Sequence, residues 1–165
     1  MDFQIGDTVV HWSFGIGQII GLEERLLAGE KLLYYEVRIQ NLSVWVPADG
    51  RLASRLRAPT SPRGFKKLFA ILGGPADPVT GNKRQRKLDL HARLANGQAS
   101  AICHVIRDLT TLKQEQSLDF DEKLILKKAS SLLLAEWEYS LKMPAAQALA
   151  DLYQLLQPQP APLAA

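Results

Sequence analysis

Hydrophobic and polar positions change period near residue 57, and that change divides the chain. In Leu33-Tyr-Tyr-Glu-Val-Arg-Ile39 the pattern alternates: Tyr35, Val37 and Ile39 fall on one side, Tyr34, Glu36 and Arg38 on the other. A period of two with β-branched and aromatic residues predicts a half-buried antiparallel strand. Upstream, Thr8-Val-Val-His-Trp12 and Gln18-Ile-Ile-Gly-Leu22 read as strands around a turn at Ser13-Phe-Gly-Ile-Gly17. Asn41 turns the chain into Ser43-Val-Trp-Val46, and Pro47, with no N–H to donate, can end that strand. About four or five short strands in so short a stretch predict a small barrel or curled sheet.

Beyond Arg57 the period becomes helical. Ser61-Pro62 can cap and start a helix that carries Phe65, Leu68, Phe69 and Leu72, and Gly73 to Pro78 ends it. A second helix is predicted from Asn82 to Asn96, with Gly97 as its stop. A third carries the stripe Ala101, Ile102, Val105, Ile106 and Leu109. A fourth starts at Asp119, with Glu122 three residues on as a capping box. It runs through Leu124, Leu126, Ala129, Leu132, Leu133 and Trp137 to Met143. Pro144 opens a last helix ending near Gln157, and Pro158-Gln-Pro-Ala-Pro162 reads as a disordered tail. Strands followed by helices, without alternation, predict an α+β chain: an N-terminal antiparallel β-barrel, then an all-helical domain of about four to five helices. The expected division is 1–57, a linker at 58–64, 65–157, and a tail at 158–165.

Composition narrows the setting. The chain has 165 residues, of which 47% are apolar and 22% charged, the balance of a globular protein. It has no apolar run long enough for a membrane span, no signal-peptide pattern at Met1–Val10, and one cysteine, Cys103. A cytoplasmic, reducing location is expected, with no membrane partner.

Charge is unevenly spread. Residues 1–50 hold three basic and seven acidic side chains; residues 51–93 hold eleven basic and two acidic, a net +9; the remainder is −2. A block this lopsided attracts polyanions. Its densest part is Asn82-Lys-Arg-Gln-Arg-Lys87, continued by Arg93. Lys83, Arg86 and Lys87 line one side of a helix start, where cations oppose the dipole, so local helix stability does not account for them. That weighs toward a polyanion partner over a solvated basic face with no dedicated partner. No Trp, Tyr or Phe lies between Phe69 and Phe120, so the basic segment itself offers no wedge to pry open base steps.

Candidate chemistry is sparse. Gly15-Ile-Gly17 lacks the third glycine and the following helix of a phosphate loop, and reads as a tight turn. Cys103 and His104 are neighbours in sequence and therefore about 100° apart on a helix, which suits a core cysteine beside a surface or interface histidine. No catalytic residue, metal cluster, cofactor or small-molecule ligand is expected.

Taken in order, several segments resemble the CarD/CdnL family of bacterial transcription regulators, which share their first module with the polymerase-interacting domain of transcription-repair coupling factor. They are Phe3-x-x-Gly-Asp-x-Val-Val10, Gly15-x-Gly17 before Ile19 and Glu23, Gly29-Glu-Lys31, and Val44-x-Val-Pro47. Gly64-Phe-Lys-Lys-Leu-Phe-x-x-Leu72, Asn82 to Gly97, Val105-Ile-Arg-Asp-Leu109 and Glu122-Lys123 follow. The resemblance implies a Tudor-like barrel docking on the RNA polymerase β subunit. It also implies a helical domain that contacts promoter DNA at the upstream edge of the bubble, through the backbone rather than through sequence, and stabilises the open complex. Such a protein would be nucleoid-associated through the polymerase. Arg25 falls where the family has a basic polymerase-contacting side chain. Trp45 falls where members carry an interface residue, and it either anchors that interface or packs inside the barrel. Lys83, Arg84, Arg86, Lys87 and Arg93 are the expected DNA contacts.

Two positions depart from the family pattern. His11-Trp-Ser-Phe14 replaces the usual Tyr-Pro and His-Gly turn, and Lys83 stands where many members insert a tryptophan. The second departure keeps an alternative open: a polymerase-binding adaptor without productive DNA contact. Charge reversal of Lys83, Arg86 and Lys87 together is expected to abolish DNA binding and leave the fold intact.

Overall fold

The structure, a computed structural model, describes residues 3–78 and 81–158. The strands are β1 (Thr8–His11), β2 (Gly15–Leu27), β3 (Glu30–Ile39), β4 (Leu42–Pro47) and β5 (Leu56–Arg57), with a 3-10 turn at Leu52–Ser54. They form one antiparallel sheet in the order β4-β3-β2-β1-β5. Val46 from one edge strand and Leu56 from the other share a core with Val9, Ile19 and Val37. Two edges can meet around one core only if the sheet curls, and this gives the small Tudor-like barrel. Period-two alternation holds in β3, where Tyr35, Val37 and Ile39 are buried.

β2 is longer than the expected Gln18–Leu22. It resumes at Gly15 and continues to Leu27, pairing with β3 as far as Leu27 opposite Glu30. Ala28 (φ 51°) and Gly29 (φ 82°) both have positive φ, as a two-residue hairpin turn needs. The alanine hides that turn from sequence inspection, because Asn-Gly or Gly-Gly is the usual signal. A register shift lies between Ile19 and Gly21, and beyond buried Tyr35, which pairs with Leu22, the β2–β3 hairpin leaves the core; Leu22, Leu26 and Leu33 are exposed.

Five helices follow: α1 (Pro62–Leu72), α2 (Lys83–Ala95), α3 (Ala99–Glu115), α4 (Phe120–Leu141) and α5 (Ala145–Leu156). Three of them, α1, α2 and α4, start where the capping residues announce. The Ser61 hydroxyl accepts the Gly64 N–H, the Asn82 side chain accepts the Gln85 N–H, and Asp119 and Glu122 form a reciprocal capping box. The core gathers Phe65, Leu68 and Leu72 of α1, Ile102, Val105, Ile106 and Leu109 of α3, and Trp137 of α4, whose ring lies 4.7 Å from that of Phe69. On α4 the inward residues are Ile125, Ala129 and Leu133, while Leu124 is exposed; Ala101 of α3 is only half-buried. A leucine-rich helix offers more apolar residues than one face can bury, so its stripe is ambiguous until neighbours pack on it. Apart from Pro158, the tail expected at 158–165 lies outside the described residues.

The two parts meet at a buried charge pair. Glu136 of α4 is 1% exposed, and its carboxylate accepts two bonds from the Arg57 guanidinium, at 2.9 and 2.7 Å, and one from the Thr60 N–H at 2.7 Å. Arg57 also donates through Nε to the Gly97 carbonyl at 2.9 Å, tying the α2–α3 turn to the last strand. Gly97 has two reasons to be glycine. Its φ is +73°, and a Cβ there would sit 2.9 Å from the Trp12 Cβ. Burial opposes ionisation of Glu136, but the Arg57 and Thr60 contacts outweigh it and hold the carboxyl below its ordinary 4.5.

A carboxyl depressed on folding contributes stability that is complete above its unfolded value and fades as pH falls through the folded one. Urea midpoints should therefore decline below about pH 4.5, and decline less steeply in Glu136→Gln. Equal slopes would remove Glu136 from the acid response. At neutral pH, Arg57→Ala strands a buried carboxylate and should cost about 3 kcal/mol in the same assay.

Candidate functional site

Two helix N-termini of opposite side-chain charge lie together. α2 opens with Lys83, Arg84, Arg86 and Lys87 and has no acid in its first turn; α4 opens on Asp119, Asp121 and Glu122. Lys87 reaches Asp119 at 2.7 Å and Asp121 at 3.3 Å, and Lys83 reaches Asp119 at 3.5 Å. The Lys87 hydrogen bond, aided by the Glu122 N–H, draws the Asp119 carboxyl down to about 2. Its bonds to Asp119 and Asp121, offset in part by desolvation, raise the Lys87 ammonium above 10.5. Arg86 turns inward and clasps Glu122, which is fully buried, at 2.7 Å.

Arg93 is occupied too, two turns further along α2 from Arg86. It bonds Asp89 one turn back and Asp108 of α3 at 3.0 Å, and Asp108 in turn holds Arg107, which reaches Asp77. This chain of charges pins the loop after α1 to α3 and α2. Of the five cations expected to meet DNA, Arg86, Lys87 and Arg93 thus have intramolecular partners. Lys83 is 60% exposed with one long contact, and Arg84 is exposed with no ion pair among the described residues. The helix-dipole reading of these cations overlooked an acidic neighbour more than thirty residues away. The expectation that Lys83, Arg86 and Lys87 can be reversed with the fold intact is corrected accordingly, since Arg86 is the counter-charge of a buried carboxylate.

The same junction supplies an aromatic group that the basic segment lacks. Phe120, one residue after Asp119, is 73% exposed. It follows Asp119, which Lys83 and Lys87 reach, so the start of α4 that carries it adjoins the start of α2. Leu88, 58% exposed, adds an apolar residue one turn beyond Arg84 on α2.

The barrel presents a second surface. Val44 and Val46 pack toward the core, so Trp45 between them faces outward, half-buried. The Arg25 guanidinium lies over its ring, 4.2 Å from the centroid, a cation–π contact of about 0.5–1 kcal/mol at an exposed site. The two residues proposed separately from the sequence are therefore one feature. β4, which carries Trp45, is an outer strand of the sheet, and its far backbone edge has no strand partner among the described residues.

Cys103 and His11 are both buried. Cys103 is fully buried; desolvation, with the Glu136 charge nearby, pushes its thiol up to about 12. His11 is buried between the rings of Trp12 and Phe14, and its Nδ1 accepts the Ser13 and Phe14 N–H groups. Burial lowers its pKa, which keeps it neutral and able to accept. No helix among the described residues is long and apolar enough to cross a membrane.

Comparison with known proteins returns two family models. Residues 3–53 match the CarD-like/TRCF RID domain, and residues 67–152 match the C-terminal domain of CarD. A curated relative from Bacillus subtilis (strain 168), "Putative transcription factor YdeB", is 32% identical over 139 residues, covering 82% of this chain and 90% of that protein.

Arg86→Glu sets a second carboxylate against buried Glu122 and should cost about 3–5 kcal/mol in urea unfolding. Arg84→Glu should change stability by no more than about 0.5 kcal/mol. Equal effects would mean that the two side chains share one environment. Iodoacetamide should leave Cys103 unmodified in the native protein at neutral pH and alkylate it on unfolding; labelling at the rate of a free thiol would contradict its burial.

Proposed function

The chain belongs to the CarD family, and from that premise we propose that it binds the RNA polymerase β subunit through its barrel and steadies open promoter DNA through the joined starts of α2 and α4. It is a transcription regulator. The observation that carries the DNA contact is the exposure of Lys83 and Arg84 at the start of α2, together with exposed Phe120, which follows the Asp119 that Lys83 reaches. Two cations can contact phosphates and set position without reading sequence. An exposed apolar ring on the adjoining start of α4 suits a disturbed base step at the edge of a bubble, where the family's tryptophan is replaced by Lys83. The unpartnered edge of β4, with the Arg25–Trp45 stack beside it, suits docking on a protein strand. Arg25 and Trp45 are the polymerase contacts in this reading. Arg86, Lys87 and Arg93 position the surface by holding α2 to α4 and α3.

A second reading has its own support. With Arg86, Lys87 and Arg93 neutralised internally, the positive charge left for DNA is smaller than the sequence suggests, which favours a polymerase-binding adaptor.

The deciding measurement is the lifetime of open complexes formed by a bacterial polymerase, with and without the protein. The lifetime should lengthen, and Arg84→Glu and Phe120→Ala should each reduce the effect while polymerase binding persists. No lengthening, with binding confirmed in the same samples, would establish the adaptor reading. Arg25→Ala with Trp45→Ala should weaken polymerase binding itself, and full retention would move the docking site elsewhere.

A further inference from the structure

On the flank of α4 away from α2, a groove of about 500 Å³ runs between α3, α4 and α5. Its floor is aliphatic: Leu126, Leu134, Leu152 and Leu156. Its rim carries Lys113, Lys123 and Lys127, and no aspartate or glutamate lines it. None of the three ammonium groups pairs with a carboxylate among the described residues, in contrast to Lys83, Arg86 and Lys87 of α2. Leu149 (39% exposed) and Tyr153 (59% exposed) stand on the α5 side, so apolar surface is already in water at the mouth.

We propose that this groove docks an acidic amphipathic helix of a partner protein. The floor selects the class of ligand: its leucines accept the aliphatic or aromatic anchors of a helix, with Ser130 and Ser131 of α4 as polar groups among them. The rim selects the sign: three lysines without local acids attract carboxylates and repel basic helices. A helix with apolar residues at i, i+3, i+4 and i+7 and glutamates beside them meets both demands. The groove and the α2 cations lie on opposite flanks of α4, so a helix docked there leaves the α2 surface free. This inference does not depend on the polymerase or DNA contacts.

The probe is a fluorescein-labelled amphipathic peptide of leucine and glutamate, read by anisotropy with the full-length protein. It should bind, and the same peptide with every glutamate replaced by lysine should not. K123E/K127E should weaken binding about tenfold, K123Q/K127Q should act in the same direction by charge removal alone, and Y153S should weaken it through the apolar side. R84E, on the other flank, should bind as the unaltered protein does. Equal binding of the lysine peptide, indifference to the rim substitutions, or displacement by duplex DNA would each overturn the proposal. So would self-association abolished by K123E/K127E, which would make the groove a contact between copies, or a gain in peptide affinity on deleting residues 159–165, which would make the chain's own end the occupant.

Discussion

The Arg57–Glu136 pair is the constraint on which the rest of the molecule turns. A carboxylate buried in α4 is costly unless something pays its desolvation, and Arg57 does so from the last strand of the barrel, with Thr60 from the connection that follows. Both partners are needed at once, so the pair forms only when barrel and helices meet in one orientation. Such pairs add less to stability than their number of bonds suggests; their effect here is to select a geometry. The bond from Arg57 to the Gly97 carbonyl, and the close approach of Trp12 to Gly97, extend that selection to the start of α3.

A second electrostatic arrangement follows within the helices. The macrodipole disfavours cations at the start of α2, and the acids at the start of α4, favourable on their own helix, are close enough to compensate them. The acidic excess of the C-terminal segment thus folds onto the basic block. This focuses the outward positive potential on Lys83 and Arg84 at one end of α2 rather than along its length. Lys113, Lys123 and Lys127 lie beyond the reach of that compensation and mark a different surface, around an aliphatic groove.

Much of the architecture was legible from residue patterns. Ser61, Asn82 and Asp119 each announced a helix, and all three caps form, because capping is a local exchange of hydrogen bonds within four residues. The alternation in β3 placed Tyr35, Val37 and Ile39 inside for an equally local reason. The β2–β3 hairpin was not legible in full, since Ala28 takes a positive φ that alanine does not advertise. Nor was the inward face of α4, where neighbouring helices chose Ile125 over Leu124.

For the functional surfaces the division is sharper. Sequence alone determined the residue types, the strands-then-helices order, the charge asymmetry and the likeness to a family, because each depends on neighbours along the chain. Tertiary structure decided which charges remain available. It paired Arg86 with Glu122 and Arg93 with Asp108, brought Lys83 to the Asp119 cap, and laid Arg25 over Trp45. These are contacts between residues far apart in sequence, and Coulomb attraction and ring stacking depend on distance in space, which residue order does not encode.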